Sequence, residues 1–279
     1  LQDGLKLGAY QQQGSHLTSL AVSPNGRLWA VGTAGGEIFV WDVVARRLLR
    51  TLAPPAQANP VSQPGTAAKS GSLGAVRSLA FSPMGSELWS FGDRGRIALW
   101  DLPTGRVRRE WVAVADLETQ SSGRALAVSA CGGYGIVAAA EPSLRFFDLN
   151  RGELLKSWTT DEPATAVAFS PDDQAIGSVQ KTTIILWRSR PQASVQILKG
   201  HEQAVRSIAF GPQGDGLAST GDDSTINVWP GRSYQPGQKP TQKPTQTLLL
   251  PAAGRAIAID RHSLVCGLAN GAIHRWKMV

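Results

Sequence analysis

The sequence predicts an all-β fold in which one unit of about 40 residues is repeated, and three observations support this prediction. First, the stretch from Val76, VRSLAFSPMGSELWSFGDRGRIALWD, returns from Val205 as VRSIAFGPQGDGLASTGDDSTINVW. Second, 30 glycines and 17 prolines among 279 residues indicate many turns, and no stretch shows sustained helical periodicity. Third, an aromatic residue anchors each of six copies: Trp41, Trp100, Phe147, Trp187, Trp229 and Trp276.

Each copy contains three short strands, and most copies have a fourth. The first strand alternates in polarity, as in Val205–Phe210. A Ser-Pro-x-Gly or Gly-Pro-x-Gly segment follows. This segment is predicted to be a turn, because Pro presets φ and Gly accepts positive φ. A small-residue second strand and a third strand ending at the aromatic complete the core of the unit, and an amphipathic stretch such as Arg47–Leu52 or Arg106–Trp111 comes next. Four strands in about 40 residues are typical of a propeller blade, so the chain is predicted to be one six-bladed β-propeller over residues 1–279.

Ring closure is predicted from the two ends of the sequence. The last copy has no fourth strand, whereas Gly4–Tyr10 reads as a strand without a blade, so this segment is predicted to complete the final blade. A seven-bladed ring with one degenerate blade is the alternative. Two segments interrupt the repeats, 53–72 and 231–246, and both are predicted to be flexible insertions.

The repeats resemble those of the WD40 family over nearly the whole chain. Trp41–Asp42 and Trp100–Asp101 carry the dipeptide that names the family, and Gly200–His201 matches its second signature. The resemblance implies a rigid, noncatalytic scaffold that binds a protein or peptide partner on the top face of a monomeric propeller. It also implies a hydrogen-bonded tetrad within a blade, which only the fifth copy matches in full, with His201, Ser219, Asp223 and Trp229.

One position stands out when the copies are aligned. The residue two places before the central aliphatic residue of each first strand is arginine in four copies and threonine in two. The resemblance implies that this position borders the top opening of the propeller. Two interpretations remain open: turn carboxylates (Asp93, Asp116, Glu141 and Asp222) neutralise the arginines, or the position binds an acidic or phosphorylated partner segment. The predicted partner-binding residues are Thr18, Arg77, Arg124, Thr165, Arg206 and Arg255.

The net charge of +7 supports a second hypothesis, nucleic-acid or polyanion binding. Arginines cluster in the fourth strands of the first two copies, where they are interpreted as protecting exposed sheet edges or as a nucleic-acid surface. That cluster comprises Arg46, Arg47, Arg50, Arg106, Arg108 and Arg109.

The sequence contains no recognisable catalytic motif. The four histidines are scattered over three copies, the two cysteines lack zinc-ligand spacing, and no phosphate-binding loop is present. We therefore predict no enzyme activity, no cofactor and no metal; a propeller enzyme would need carboxylates or histidines at the opening, where the aligned position holds arginine and threonine. No apolar run reaches the roughly 20 residues of a membrane span. The absence of an export signal gives a cytoplasmic location by default, for this chain alone or as part of a larger one.

Overall fold

The computed structural model describes residues 16–53, 74–114, 123–188, 196–214, 216–230, 241–259 and 263–277. The described chain contains 24 strands and no helix. It divides into two compact units, an N-terminal unit of residues 12–126 and a C-terminal unit from residue 127 onward, and the boundary falls within one strand.

The N-terminal unit contains two four-stranded antiparallel blades in which each strand pairs with the next one along the chain. Blade 1 consists of β1 (Leu17–Val22), β2 (Leu28–Thr33), β3 (Ile38–Asp42) and β4 (Arg47–Leu52). Blade 2 consists of β5 (Val76–Phe81), β6 (Glu87–Gly92), β7 (Arg96–Asp101) and β8 (Arg106–Val112). The facing sides of the two sheets share one apolar core, which includes Ile38, Val40, Val76, Leu88 and Trp100.

The C-terminal unit holds the remaining four blades. Blade 3 consists of β9 (Ala125–Val128), which spans the boundary, β10 (Tyr134–Ala138), β11 (Ser143–Asp148) and β12 (Glu153–Thr159). Blade 4 consists of β13 (Ala166–Phe169), β14 (Ala175–Gln180), β15 (Thr183–Arg188) and β16 (Gln196–Lys199), with β20 (Thr241–Gln242) added at its edge. Blade 5 consists of β17 (Val205–Phe210), β18 (Gly216–Gly221), β19 (Thr225–Pro230) and β21 (Gln246–Leu249). Blade 6 consists of β22 (Gly254–Ile259), β23 (Ser263–Leu268) and β24 (Ile273–Lys277).

The turns between first and second strands form as the sequence predicts. In blade 1 the amide of Gly26 donates to the carbonyl of Ser23 over 2.8 Å, and Gly26 has a φ of 70°. Blade 4 has Asp173 at the equivalent position, with a φ of 54°. Asp is one of the few residues other than glycine that adopts this conformation readily. This explains why blade 4 keeps the same turn without a glycine.

The all-β architecture of six blades is therefore confirmed. The predicted closing strand Gly4–Tyr10 lies outside the described residues, as do 54–72 of the first insertion and 231–240 of the second. The last part of the second insertion is described and is ordered against two blades. Thr241–Gln242 pairs in parallel with β16, and the amide of Thr245 donates to the carbonyl of Val228 over 2.8 Å. An extended Pro-containing segment can pair in this way because an outer strand has free main-chain groups along its edge.

Candidate functional site

Four of the six predicted partner-binding residues occupy the same backbone irregularity. In β1, β5, β17 and β22 the residues on either side of this position pair with two consecutive residues of the neighbouring strand, so one residue is left over. Such a β-bulge takes a side chain out of the regular alternation and re-aims it. The residues left over are Thr18, Arg77, Arg206 and Arg255.

The C-terminal unit brings two of these arginines together on one carboxylate. Arg206 Nε lies 3.0 and 2.9 Å from the two carboxylate oxygens of Asp222, and its Nη2 also donates to Oδ2. Arg255 Nη1 donates to Oδ1 of the same residue over 3.0 Å. Asp222 is held in the turn after β18, because its amide donates to the carbonyl of Ala204 over 2.9 Å. The fifth and sixth blades are therefore joined by the carboxylate of Asp222, which binds an arginine from each.

The hydrogen bond from Arg206, reinforced by the charges of Arg206 and Arg255, holds the pKa of Asp222 below its ordinary value. The same bond raises the pKa of Arg206. Arg206 and Asp222 are therefore both ionised at neutral pH, and the guanidinium groups of Arg206 and Arg255 share one carboxylate. The side chains of Arg206 and Arg255 remain 41% and 51% exposed, so both guanidinium groups reach solvent.

In the N-terminal unit, carboxylates neutralise the predicted partner-binding arginines less completely. Arg77 Nη2 lies 3.7 Å from Oδ2 of Asp93, which is an ion-pair distance but too long for a hydrogen bond. Arg124 is exposed, and within the described ranges no carboxylate pairs with it. Thr18 Oγ1 donates to the carbonyl of Val76 over 2.6 Å and so joins blade 1 to blade 2.

One of the other candidate carboxylates pairs with a different arginine. Glu141 binds Arg145 of its own blade instead, with Nη2–Oε distances of 2.8 and 3.1 Å. Asp116 lies outside the described residues. Whether all six aligned residues act as one site therefore stays a prediction.

Blade 4 contributes a feature that the sequence does not signal. Thr165 Oγ1 is buried without a hydrogen-bond partner among the described residues, and so is Nε2 of Gln180. The two residues are neighbours across the strands, since the amide of Thr165 donates to the carbonyl of Val179 over 3.0 Å. Gln180 is only 5% exposed. Unpaired buried polar atoms are costly, so this end of blade 4 suits a bound water or a polar ligand group.

The four tetrad residues form a continuous hydrogen-bonded chain in blade 5. Trp229 Nε1 donates to Ser219 Oγ over 2.9 Å, Ser219 Oγ lies 2.7 Å from His201 Nε2, and His201 Nδ1 lies 2.8 Å from Asp223 Oδ2. Every donor is satisfied when the imidazole is neutral and carries its proton on Nδ1. Burial raises the pKa of Asp223, but hydrogen bonds from Thr225 and His201 outweigh it and the net pKa is lowered. The tetrad links β18, the turn after it and β19 to the segment that enters the blade.

The outer-strand arginines divide into paired and unpaired groups. Arg108 binds Asp101 over 3.0 Å and Glu87 over 2.5 Å, and Arg50 Nη2 donates to the carbonyl of Pro103 over 2.7 Å. The others are exposed, and no carboxylate of the described chain pairs with them: Arg46, Arg47, Arg106 and Arg109.

Within the described ranges no group of three or more His, Cys, Asp or Glu side chains is arranged to hold a metal ion. In that part of the chain no helix has the length and apolar composition needed to span a membrane.

Comparison with known proteins agrees with this geometry. A family model described as "WD domain, G-beta repeat" matches residues 6–42 and 192–230. The structure resembles the crystal structure of the RRP9 WD40 repeats, with a TM-score of 0.76 and 16% identity over 96% of this chain and 78% of that one. The family model therefore identifies WD40 repeats in these two segments, and the fold is that of a WD40-repeat β-propeller.

Two curated relatives show how widely this family is used. The chain is 24% identical to "Cell division cycle 20.1, cofactor of APC complex" of Arabidopsis thaliana, over 76% of this chain and 54% of that protein. It is 25% identical to "Protein groucho" of Drosophila melanogaster, over 78% of this chain and 27% of that protein. The chain thus spans about half of the first relative and about a quarter of the second. The resemblance to these proteins fits a protein-interaction scaffold.

Proposed function

We propose that the protein is a noncatalytic scaffold that binds an acidic or phosphorylated segment of a protein partner, and that Arg206 and Arg255 are its main anion-binding residues. The observation that supports this is the shared carboxylate: Asp222 neutralises one of the two guanidinium groups, and the other retains its charge in a half-exposed setting. Arginine suits the task because its planar fork matches carboxylate and phosphate oxygens.

The bulges support the same proposal. A residue in a regular strand would point along the sheet face, whereas the bulge residue leaves the alternation and is free to meet a ligand. The unpaired Thr165 Oγ1 and Gln180 Nε2 would add neutral hydrogen bonds to the same kind of ligand in blade 4 of the unit. The aligned residues Thr18, Arg77 and Arg124 are proposed to act in the same way on their own blades.

Calorimetric titration tests this proposal. The probe is a peptide with two phosphoserines flanked by glutamates, compared with the same peptide carrying unmodified serines. We expect Arg206→Glu/Arg255→Glu to weaken binding at least about tenfold, because attraction becomes repulsion. Arg151→Glu is the matched control, since Arg151 is 73% exposed and makes only a 4.0 Å contact with Glu153. Undiminished affinity in the double variant would reject the proposal.

A second candidate is nucleic-acid or polyanion binding, which is favoured by the +7 charge and the unpaired outer-strand arginines. One relative is named "U3 small nucleolar RNA-associated protein 21", from Saccharomyces cerevisiae, with 26% identity over 56% of this chain. The steepness of the salt dependence tests this second candidate. Duplex DNA binding would lose about 0.9 log units of affinity per log unit of salt for every phosphate contacted, and a flat response to salt would exclude it.

A further inference from the structure

The outer edge of one blade already carries an added strand. Thr241–Gln242 pairs in parallel with β16, with Ile197 opposite Thr241 and Leu198 opposite Gln242. Leu198 is 1% exposed in this arrangement. The chain therefore shows, within itself, that the outer strand of a blade accepts a further extended segment through its main-chain groups.

The outer edge of blade 1 has no such strand in the described chain. β4 is the last strand of its sheet. Its side chains Leu48 and Leu49 are 39% and 43% exposed, and Val44 in the preceding turn is 76% exposed. A strand edge with exposed apolar side chains is a template for strand addition unless something covers it.

The charge at this edge selects the partner. Arg46 and Arg47 are exposed at the start of β4 and have no carboxylate partner among the described residues, and β4 itself contains no acidic residue. The nearby Asp42 is already bound by Arg27, over 3.0 Å. Arg50 is occupied as well, because it donates to the carbonyl of Pro103 in blade 2 over 2.7 Å. Positive charge is therefore left at one end of the edge.

Blade 3 provides an internal comparison. Its outer strand β12 has the same Leu-Leu pair, with Leu154 and Leu155 51% and 49% exposed. Glu153 stands opposite Asp148 there, where Arg47 stands opposite Asp42 in blade 1. The apolar pattern is shared but the charge is reversed, so the two edges differ in the partner they attract.

We propose that the free edge of β4 binds an extended acidic segment of a protein partner by strand addition. Carboxylates of the segment meet Arg46 and Arg47, its apolar side chains cover Leu48 and Leu49, and its main chain pairs with β4. Main-chain hydrogen bonds supply affinity in this mode, and alternate side chains supply specificity. This site is separate from the Arg206–Arg255 cluster, and it does not depend on the function proposed above.

Hydrogen exchange and titration with a defined probe test the proposal. The probe is a ten-residue peptide of alternating Glu and Val. We expect slower amide exchange in residues 47–52 and unchanged exchange in 153–159. Arg46→Glu/Arg47→Glu should weaken binding at least about tenfold, whereas Arg151→Glu, beside β12, should change it less than about twofold. A peptide N-methylated at alternate residues should also lose at least about tenfold, because it cannot donate to the edge.

Three results would overturn the proposal. No protection of 47–52 at about 1 mM peptide would show that the edge does not accept the segment. Equal binding of the N-methylated peptide would show that strand pairing is not used. Protection of the same residues by a ten-nucleotide polyuridine RNA, without protection by the peptide, would assign the arginines to nucleic acid.

Discussion

Arg255 in the first strand of blade 6 donates to Asp222 in a turn of blade 5, with 3.0 Å between Nη1 and Oδ1. The carboxylate also accepts hydrogen bonds from Nε and Nη2 of Arg206 within its own blade. This relationship joins two blades and leaves a guanidinium that is only partly neutralised. It therefore combines a structural role with the capacity to bind an anion.

Replacing Asp222 by alanine should lower the free energy of unfolding by about 1 kcal/mol, because the two ion pairs are partly exposed and screened by water. The same change should strengthen binding of the phosphoserine peptide, since both arginines are released. Urea unfolding and calorimetry measure the two effects. Glu202→Ala is the control, because its side chain is exposed in a neighbouring loop. Weaker peptide binding in the Asp222 variant would contradict the role assigned to this carboxylate.

Ser219→Ala should destabilise the protein by about 2 to 3 kcal/mol, because it leaves two buried groups, Trp229 Nε1 and His201 Nε2, without a partner. Ser90→Ala in blade 2 is the matched change. Ser90 accepts from Trp100 Nε1 over 2.8 Å and is equally buried, so about 1 to 2 kcal/mol is expected. Denaturant unfolding of both variants checks the order. A larger loss for Ser90→Ala would show that the full tetrad adds nothing to blade 5.

Acid should lower the free energy of unfolding partly by protonating Asp223. Its pKa is lowered in the folded state from a reference value of 3.8, so the unfolded chain takes up the proton first as pH falls. The carboxylate therefore stabilises the fold above about pH 4, and this contribution is lost as pH falls through the lower, folded pKa. Unfolding of wild type and Asp223→Asn between pH 7 and pH 3 measures the effect. The difference between the two proteins should shrink toward pH 3, and a constant difference would refute this linkage.

Replacement by alanine should affect stability very differently at two glycines of blade 6. A Cβ on Gly254 would lie 1.7 Å from Thr220 Oγ1 of blade 5, a contact that forces the strands apart. Gly254→Ala should therefore cost about 1 to 3 kcal/mol or more. A Cβ on Gly267 meets no atom within 4 Å, so Gly267→Ala should change stability little. Thermal unfolding of the two variants checks the contrast, and similar melting temperatures would contradict the close approach of β22 to β18.

Much of the blade architecture could be predicted from local patterns. Alternation in Val205–Phe210 and the anchoring Trp229 both follow from chemistry within one repeat, and the strand bounds agree closely with the structure. The bulges could not be predicted, because the residues around Arg77 read as an ordinary alternating strand. A register shift depends on how two strands pair, and single-strand periodicity carries no information about it.

Contacts between blades could not be predicted from the sequence either. Asp222 was one of four candidate carboxylates, and nothing in its sequence context indicates that it serves two arginines from different blades. The pairing of Thr241–Gln242 with β16 was also not foreseen, because a Pro-rich tandem repeat reads as a loop.

The amino-acid sequence determined the repeated blade, its turns and the residues of the tetrad, since these depend on interactions within about 40 residues of chain. Tertiary structure alone decided which carboxylate compensates which arginine and which blade edge is covered. Those outcomes depend on distances between segments far apart in the chain, such as the approach of Arg255 to Asp222, and they exist only once the blades pack against each other.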